Sequence, residues 1–338
     1  MAQRGFSLAT VLLIAAVAAA VPVAATSTTA PATRASSPLL LREVGMIMAH
    51  DAGTSYLPEG PFIDHWAKTQ PSGGFGALLD CGARALDVRS ELHGGRIIMH
   101  HGAIPVPTTL ETGIDDVMRW SKANPDELVY LYMSHDKNHI DANITDILKR
   151  AGVAILSCGE SQSIAFEDAL KRGPVIATLG CMQENYDPAV LCEEVEGPCW
   201  RAEYLKSRFA RLVKYFNATL QQAGHFNRDN ENVNTASLWM LQAHWQYDAA
   251  AIALGTLEGS TVIKDNTKSG MNDFVAKFLR ALPAVHKLNI VELDNVCVAG
   301  AEIRTLLGAR DMRTSNSEPS VHSKHSLRLP VESISAIV

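Results

Sequence analysis

The chain has 338 residues, of which 47% are hydrophobic and 20% charged, and its 30 basic and 36 acidic side chains give a formal net charge of −6. Such a composition supports one large or two small globular domains and excludes collagen, coiled coil and a disordered chain. A mildly acidic balance carries no electrostatic footprint for nucleic acid, so any anionic substrate must be met by a local cluster of cations.

In chain order, Arg4 is followed by a charge-free stretch to Thr33 whose apolar centre ends in small residues around Val23-Ala24-Ala25. This predicts a signal peptide over 1–25, then a Ser/Thr/Pro/Ala linker over 26–38, and hence a secreted, extracellular protein. A signal anchor fits less well, because the run is alanine-rich and interrupted at Pro22. Six cysteines, at 81, 158, 181, 192, 199 and 297, suit an oxidising compartment. A bridge is predicted between Cys192 and Cys199, which flank a short acidic loop, whereas burial as thiols is the simpler expectation for Cys81 and Cys297 beside apolar strands. Asn143 and Asn217 stand in glycosylation sequons.

Short apolar runs then alternate with helical periodicity. Strands are expected at 44–50, 83–89, 96–100, 128–134, 174–180, 237–245 and 288–294. Helices are expected at 109–123, 203–223 and 273–282, the second from the stripe of Leu205, Phe209, Leu212, Val213, Phe216 and Leu220. Repeated strand-helix-strand order argues for a parallel α/β barrel or a doubly wound sheet. The polar residues choose between them. His50-Asp51, Asp87 and Arg89, His100-His101, Ser134-His135-Asp136 and Asp294-Asn295 close or follow their strands, and in a barrel they would converge at one mouth. No glycine-rich phosphate loop of the nucleotide-binding sheets occurs.

Serine-elbow, zinc-helix and calcium-loop motifs are also absent, which leaves His, Asp and Arg to do chemistry. Two imidazoles and an arginine are the parts needed to cleave a phosphodiester without metal. One imidazole takes a proton from the attacking hydroxyl, the other gives one to the leaving oxygen, and a guanidinium holds the non-bridging oxygens.

HDAGT at 50–54, GARALDVR at 82–89, MHHG at 99–102, NPDELVYLYMS at 124–134 and LNIVELDN at 288–295 together resemble the X-domain of phosphatidylinositol-specific phospholipase C in its bacterial, metal-independent form. The resemblance is dense from about Leu39 to Asn138 and looser to about Gly300. It implies a distorted TIM-type α/β barrel over 39–311, while the remaining 312–338 carries no further motif and reads as a polar tail. It also implies roles: His50 as general base, His101 as general acid, Arg89 on phosphate, Asp51 assisting the acid and Asp294 orienting the base, with no cofactor and no metal. Calcium-dependent relatives carry asparagine after the first histidine and two acidic residues on the second strand; here Asp51 and Arg89 stand in those places. The expected partners are a phosphodiester lipid or glycolipid headgroup and, transiently, a membrane surface, with no nucleic acid.

The headgroup contacts match less well. A lysine expected just after the fourth strand is replaced by His135-Asp136, with Lys137 one step on. Lys137, Trp245 and Tyr247 are the candidates for substrate binding, His244 joins the last two as a possible aromatic rim, and core packing is the alternative for all three of that group. Asp87 either acts or only holds Arg89, while His100, Arg84 and His135 are read as barrel or rim residues. A barrel that binds a polyol phosphate or glycan without turnover is the competing reading. A magnesium-dependent phosphodiesterase barrel lacks its acidic cluster.

Overall fold

The computed structural model describes residues 38–58, 66–182, 187–192, 199–226, 238–282 and 288–316. The expected signal peptide, nearly all of the linker, the acidic loop at 193–198 and the tail past Asn316 lie outside the described residues. The strands are β1 (Met46–Ala49), β2 (Ala85–His93), β3 (Arg96–His101), β4 (Ile104–Thr109), β5 (Val129–Ser134), β6 (Ala154–Ile155), β7 (Val175–Leu179), β8 (Leu191–Cys192), β9 (Met240–Gln242), β10 (Gln246–Tyr247) and β11 (Ile290–Leu293). The helices are α1 (Gly74–Asp80), α2 (Leu110–Ala123), α3 (Asp141–Arg150), α4 (Cys158–Ser163), α5 (Phe166–Arg172), α6 (Ala202–Phe226), α7 (Ala249–Leu257), α8 (Val262–Ser269), α9 (Met271–Ala281) and α10 (Gly300–Asn316).

Seven strands pair in parallel in the order β6-β7-β5-β2-β1-β11-β9. Along them the side chains alternate between two buried clusters. Ile47 and Ala49, Leu86 and Val88, Leu131 and Met133, Val291 and Leu293 pack with the helices. Met46 and Met48, Ala85, Tyr130 and Tyr132, Ile176 and Ile290 pack with one another on the opposite face. That second cluster runs from β7 to β11, with β5, β2 and β1 between them in the sheet. One buried cluster across five strands is what a sheet curled with this face inside produces. Among the described residues β6 and β9 do not pair with each other, so the curl is an open, distorted barrel of the TIM type.

Followed toward the strand C-termini, the inward face changes chemistry while its period of two persists. Met48 is succeeded by His50, Ala85 by Asp87 and Arg89, Tyr132 by Ser134, Ile176 by Thr178, Gln242 by His244, and Ile290 by Glu292 and Asp294, all buried. The lower barrel is therefore filled by apolar side chains and the mouth by polar ones.

The segment expected as a barrel strand at 96–100 is instead one arm of a hairpin. β2 outlasts its parallel partner β5, and its end, Ser90 to His93, pairs antiparallel with β3, which pairs in turn with β4. An antiparallel arm shows the same apolar run as a buried parallel strand, so the pattern alone does not separate them. The hairpin brings His101 back over the mouth.

Three disulfides join Cys81 to Cys297, Cys158 to Cys181 and Cys192 to Cys199. The last matches expectation, and Cys81 and Cys297 are bridged, not buried as thiols. Their bridge ties the end of α1 to the loop after β11. Beside it the backbones come so close that a Cβ on Gly300 would lie 2.6 Å from the Cys81 carbonyl oxygen. The expected helices appear as α2, α6 and α9, α2 capped by Thr109 Oγ1 accepting from the Thr112 N–H. No helix among the described residues is long and apolar enough to cross a membrane.

Candidate active site

Consecutive residues of an extended strand face opposite ways, yet His50 and Asp51 both enter the mouth. The reason is local. Asp51 adopts a left-handed conformation, φ +46, that turns the chain out of β1 into the short 3-10 helix of Ala52–Tyr56. The Asp51 N–H donates to Asp87 Oδ2 at 2.9 Å. Asn295 makes a matching left-handed turn after β11.

His50 is held through Nδ1, 2.8 Å from Asp294 Oδ1. When Asp294 is ionised it can only accept, so the Nδ1 proton lies in that bond and the Nε2 lone pair faces the mouth. His101 is held likewise, its Nδ1 2.6 Å from the Ala67 carbonyl oxygen, which can only accept. The two Nε2 atoms each lie 3.2 Å from the same oxygen, Asp51 Oδ2. Arg89 completes the group, with Nε 2.9 Å from Asp51 Oδ1 and Nη2 2.8 Å from Asp87 Oδ2. Ser134 Oγ also donates to Asp87. Burial opposes the charge on Asp87, but Arg89, Ser134 and the Asp51 N–H hold its carboxyl below the usual carboxylate value. The structure thus brings His50, Asp51, Arg89, His101 and Asp294 into one contact group and gives Asp87 the task of holding Arg89 and Asp51.

The two imidazoles differ in setting. His50 is shut in, and burial, reinforced by the charges of His244, Arg89, His101 and His135, lowers its pKa well below 6.5. His101 keeps 26% of its side chain exposed, at the outer edge. Burial pushes Asp294 up to about 8.

The remaining candidates separate. Lys137 Nζ donates to the Gly102 carbonyl, next to His101, and to Glu91 at 3.2 Å, so it sits at the mouth. Tyr247 packs edge-on against Trp66, with its hydroxyl buried and without a hydrogen-bond partner among the described residues. Trp245 lies in the core, its Nε1 donating to Ser269 Oγ at 2.9 Å. Core packing, the alternative for this residue, is what the structure places there. Arg84 bonds Glu127 and the Leu79 and Ala83 carbonyls and stacks on Trp120, and His100 bonds the His135 carbonyl. Sequence reasoning missed Gln70, whose Nε2 donates to the His50 and Leu293 carbonyls, and Asn272, whose Nδ2 donates to those of Asp294 and Asn295. Both hold backbone far away in sequence, for which no local pattern exists. Glu292 was detectable as a carboxylate inside an apolar strand.

Two groups of three among the described residues have ligand atoms near enough to share an ion: His50, Asp51 and Asp87, and His50, His244 and Glu292. In the first, the Arg89 guanidinium occupies the flank with a fixed positive charge. In the second, the imidazoles stack 3.9 Å apart with 14° between planes. Nitrogen lone pairs lie in the ring plane, so nearly parallel rings at this spacing cannot both point at an ion about 2.0–2.1 Å from each. Neither group fits a divalent metal.

No family model matches the sequence. Among solved structures, a variant of the phosphatidylinositol-specific phospholipase C of Staphylococcus aureus superposes with a TM-score of 0.53 at 14% identity, over 80% of this chain and 93% of that one. The enzyme of the same name from Listeria monocytogenes gives 0.50 at 15% identity, over 83% of this chain and 96% of that one. The chain has the fold of a phosphatidylinositol-specific phospholipase C. With this phospholipase C fold the polar mouth lies at the strand C-termini, where barrels of this type gather their functional groups.

Proposed function

We propose that the protein is a secreted, phospholipase C-like phosphodiesterase that cleaves the phosphodiester of a lipid or glycolipid headgroup at a membrane surface without metal. His50 takes the proton from a substrate hydroxyl adjacent to the phosphate, and that oxygen attacks phosphorus. Arg89 stabilises the charge on the non-bridging oxygens. His101, with Asp51 beside it, protonates the departing glycerol oxygen, leaving a cyclic phosphate. Asp294 orients the base, and Asp87 orients Arg89. Lys137 and Tyr247 border the space for the headgroup. Three disulfides support an extracellular location.

The observation that carries this reading is the pair of Nε2 atoms each 3.2 Å from one Asp51 oxygen, with Arg89 2.9 Å from the other. Base, acid and guanidinium are therefore gathered around one carboxylate at the mouth. The test is incubation with phosphatidylinositol vesicles, a glycosylated inositol lipid and lysophospholipids, with and without chelator, followed by phosphorus NMR. The expected result is a cyclic phosphate whose rate of formation survives EDTA. Loss of turnover in EDTA restored by calcium, or no cleavage of any substrate, refutes the proposal.

A further inference from the structure

A second imidazole–carboxylate pair lies behind His50 and takes no part in the acid–base steps. His244, two residues past β9, lies flat against the His50 ring, with centroids 3.9 Å apart and planes 14° from parallel. Its Nε2 is 3.0 Å from Glu292 Oε2, and both residues are closed off from solvent. Glu292 precedes Asp294 by two residues on the inward face of β11. One strand therefore offers a carboxylate to each of two stacked rings, Asp294 to His50 and Glu292 to His244. A carboxylate buried this deeply is costly unless a cation accompanies it, and the ring bonded to Glu292 is the imidazole of His244.

We propose that His244 and Glu292 form a positioning pair for the base, holding an imidazolium against the face of His50 so that His50 stays neutral. The catalytic consequence rests on the phosphodiesterase reading; the charge on His244 does not. The charged and titratable groups facing His50 are Asp51 in its own turn, Arg89 on β2, His101 on β3, His135 after β5, His244 after β9 and Asp294 after β11. Burial lowers His50 most, and among these neighbours His244 acts first. Burial also opposes charge on His244, but the Glu292 hydrogen bond and the carboxylates of Asp294 and Asp51 push it up to about 9. For Asp294, raised chiefly by burial, His244 leads the neighbours that pull the other way. Removing the His244 charge moves both members of the base pair toward protonation.

Ring nitrogen NMR of the full chain, titrated from about pH 5 to about pH 10, reads this directly. Signals are assigned by their loss in His244→Gln and His50→Ala. In the native protein His244 should stay doubly protonated beyond about pH 8, with His50 neutral at about pH 6.5. In Glu292→Gln the His50 midpoint should rise by about one pH unit or more, and the acidic limb of kcat/KM on phosphatidylinositol should move with it while KM holds. A native His244 ring that is neutral at pH 7 overturns the proposal without any variant having to fold. An unmoved His50 midpoint in folded Glu292→Gln overturns it equally. If the titrations run as expected and no phosphodiester is cleaved, the charge assignment stands and the phosphodiesterase reading fails, so the two failures are distinct.

Discussion

Replacing Arg89 by lysine keeps the charge and removes the fork, which isolates what a guanidinium contributes here. Arg89 spans two carboxylates, Asp51 at 2.9 Å and Asp87 at 2.8 Å, with only 8% of its side chain exposed. A lysine ammonium is a single point on a flexible stem and cannot bridge Asp51 and Asp87 while also meeting a phosphate oxygen. One lost charge-assisted hydrogen bond costs about 1.5–3 kcal/mol of stability, and one lost donor to a developing oxyanion costs about 2.7–4 kcal/mol, or roughly a hundred- to a thousandfold in kcat. A domain stable by about 5–15 kcal/mol survives the first of these losses, so turnover is measured on folded protein.

The assay is initial rate on phosphatidylinositol together with a thermal melt, and Arg84→Lys is the control. Arg84 is equally buried but bonds Glu127 and stacks on Trp120, away from the mouth. Arg84→Lys should lower the melting temperature and leave kcat nearly unchanged, whereas Arg89→Lys should lower both. An Arg89→Lys variant within about threefold of the native kcat would show that Arg89 does not meet the phosphate, whatever its effect on stability.

The remaining expectations concern the two histidines, pH and the disulfide. His101→Ala should recover most of its lost rate, at least about a hundredfold, on an inositol nitrophenyl phosphate, whose leaving group needs no proton, while His50→Ala should not. Rescue of His50→Ala instead would exchange the roles of base and acid. His244 is raised to about 9 from 6.5, so its stabilisation, on the order of 3 kcal/mol, is complete below pH 6.5 and is lost as pH rises through about 9. Glutamine at 244 should flatten the fall in melting temperature over that window, and an unchanged slope would count against a charged His244. Cys81 and Cys297 close a separation of 216 residues, about 5 kcal/mol on the loop-entropy scale, so Cys297→Ser should lower the melting temperature by roughly 10 °C or more. Gly300→Ala, which drives a Cβ to 2.6 Å from the Cys81 carbonyl, should destabilise in the same direction, and a melt like the native one in both would contradict the close packing seen there.

The convergence of His50, Asp51, Arg89, His101 and Asp294 was legible because each follows a recognisable apolar run, and barrel geometry sends strand C-termini to one mouth. Two features hid part of the rest. His101 arrives on an antiparallel arm, and RIIMH reads identically whether it lies inside a barrel or in a hairpin beside one. His244 and Glu292 are 48 residues apart, and only the register of β9 on β11, which sets Gln242 opposite Glu292, brings them together. Trp245 was ambiguous because an indole suits a core and a rim equally, and its hydrogen bond to Ser269 decides for the core. Gln70 and Asn272 bind backbone carbonyls of distant turns, an arrangement that is a property of the fold and leaves no trace in local pattern.

The polar mouth follows the sheet order. His244 past β9 meets Glu292 on β11; Asp294 past β11 meets His50 past β1; Asp51 past β1 meets Arg89 and Asp87 on β2; Asp87 meets Ser134 on β5. Every link joins neighbours in the series β9-β11-β1-β2-β5. Most of the buried charges at the mouth therefore find a partner on the adjacent strand, and Asp87 adds Arg89 on its own strand. A slip of one residue in any of these registers would turn an inward carboxylate toward the helices and leave its partner charged and alone, a loss of about 3–5 kcal/mol for each broken buried pair. The ion pairs and hydrogen bonds at the mouth thus add to the apolar alternation in favouring one register. The residues proposed to do chemistry would also help to hold the barrel that positions them.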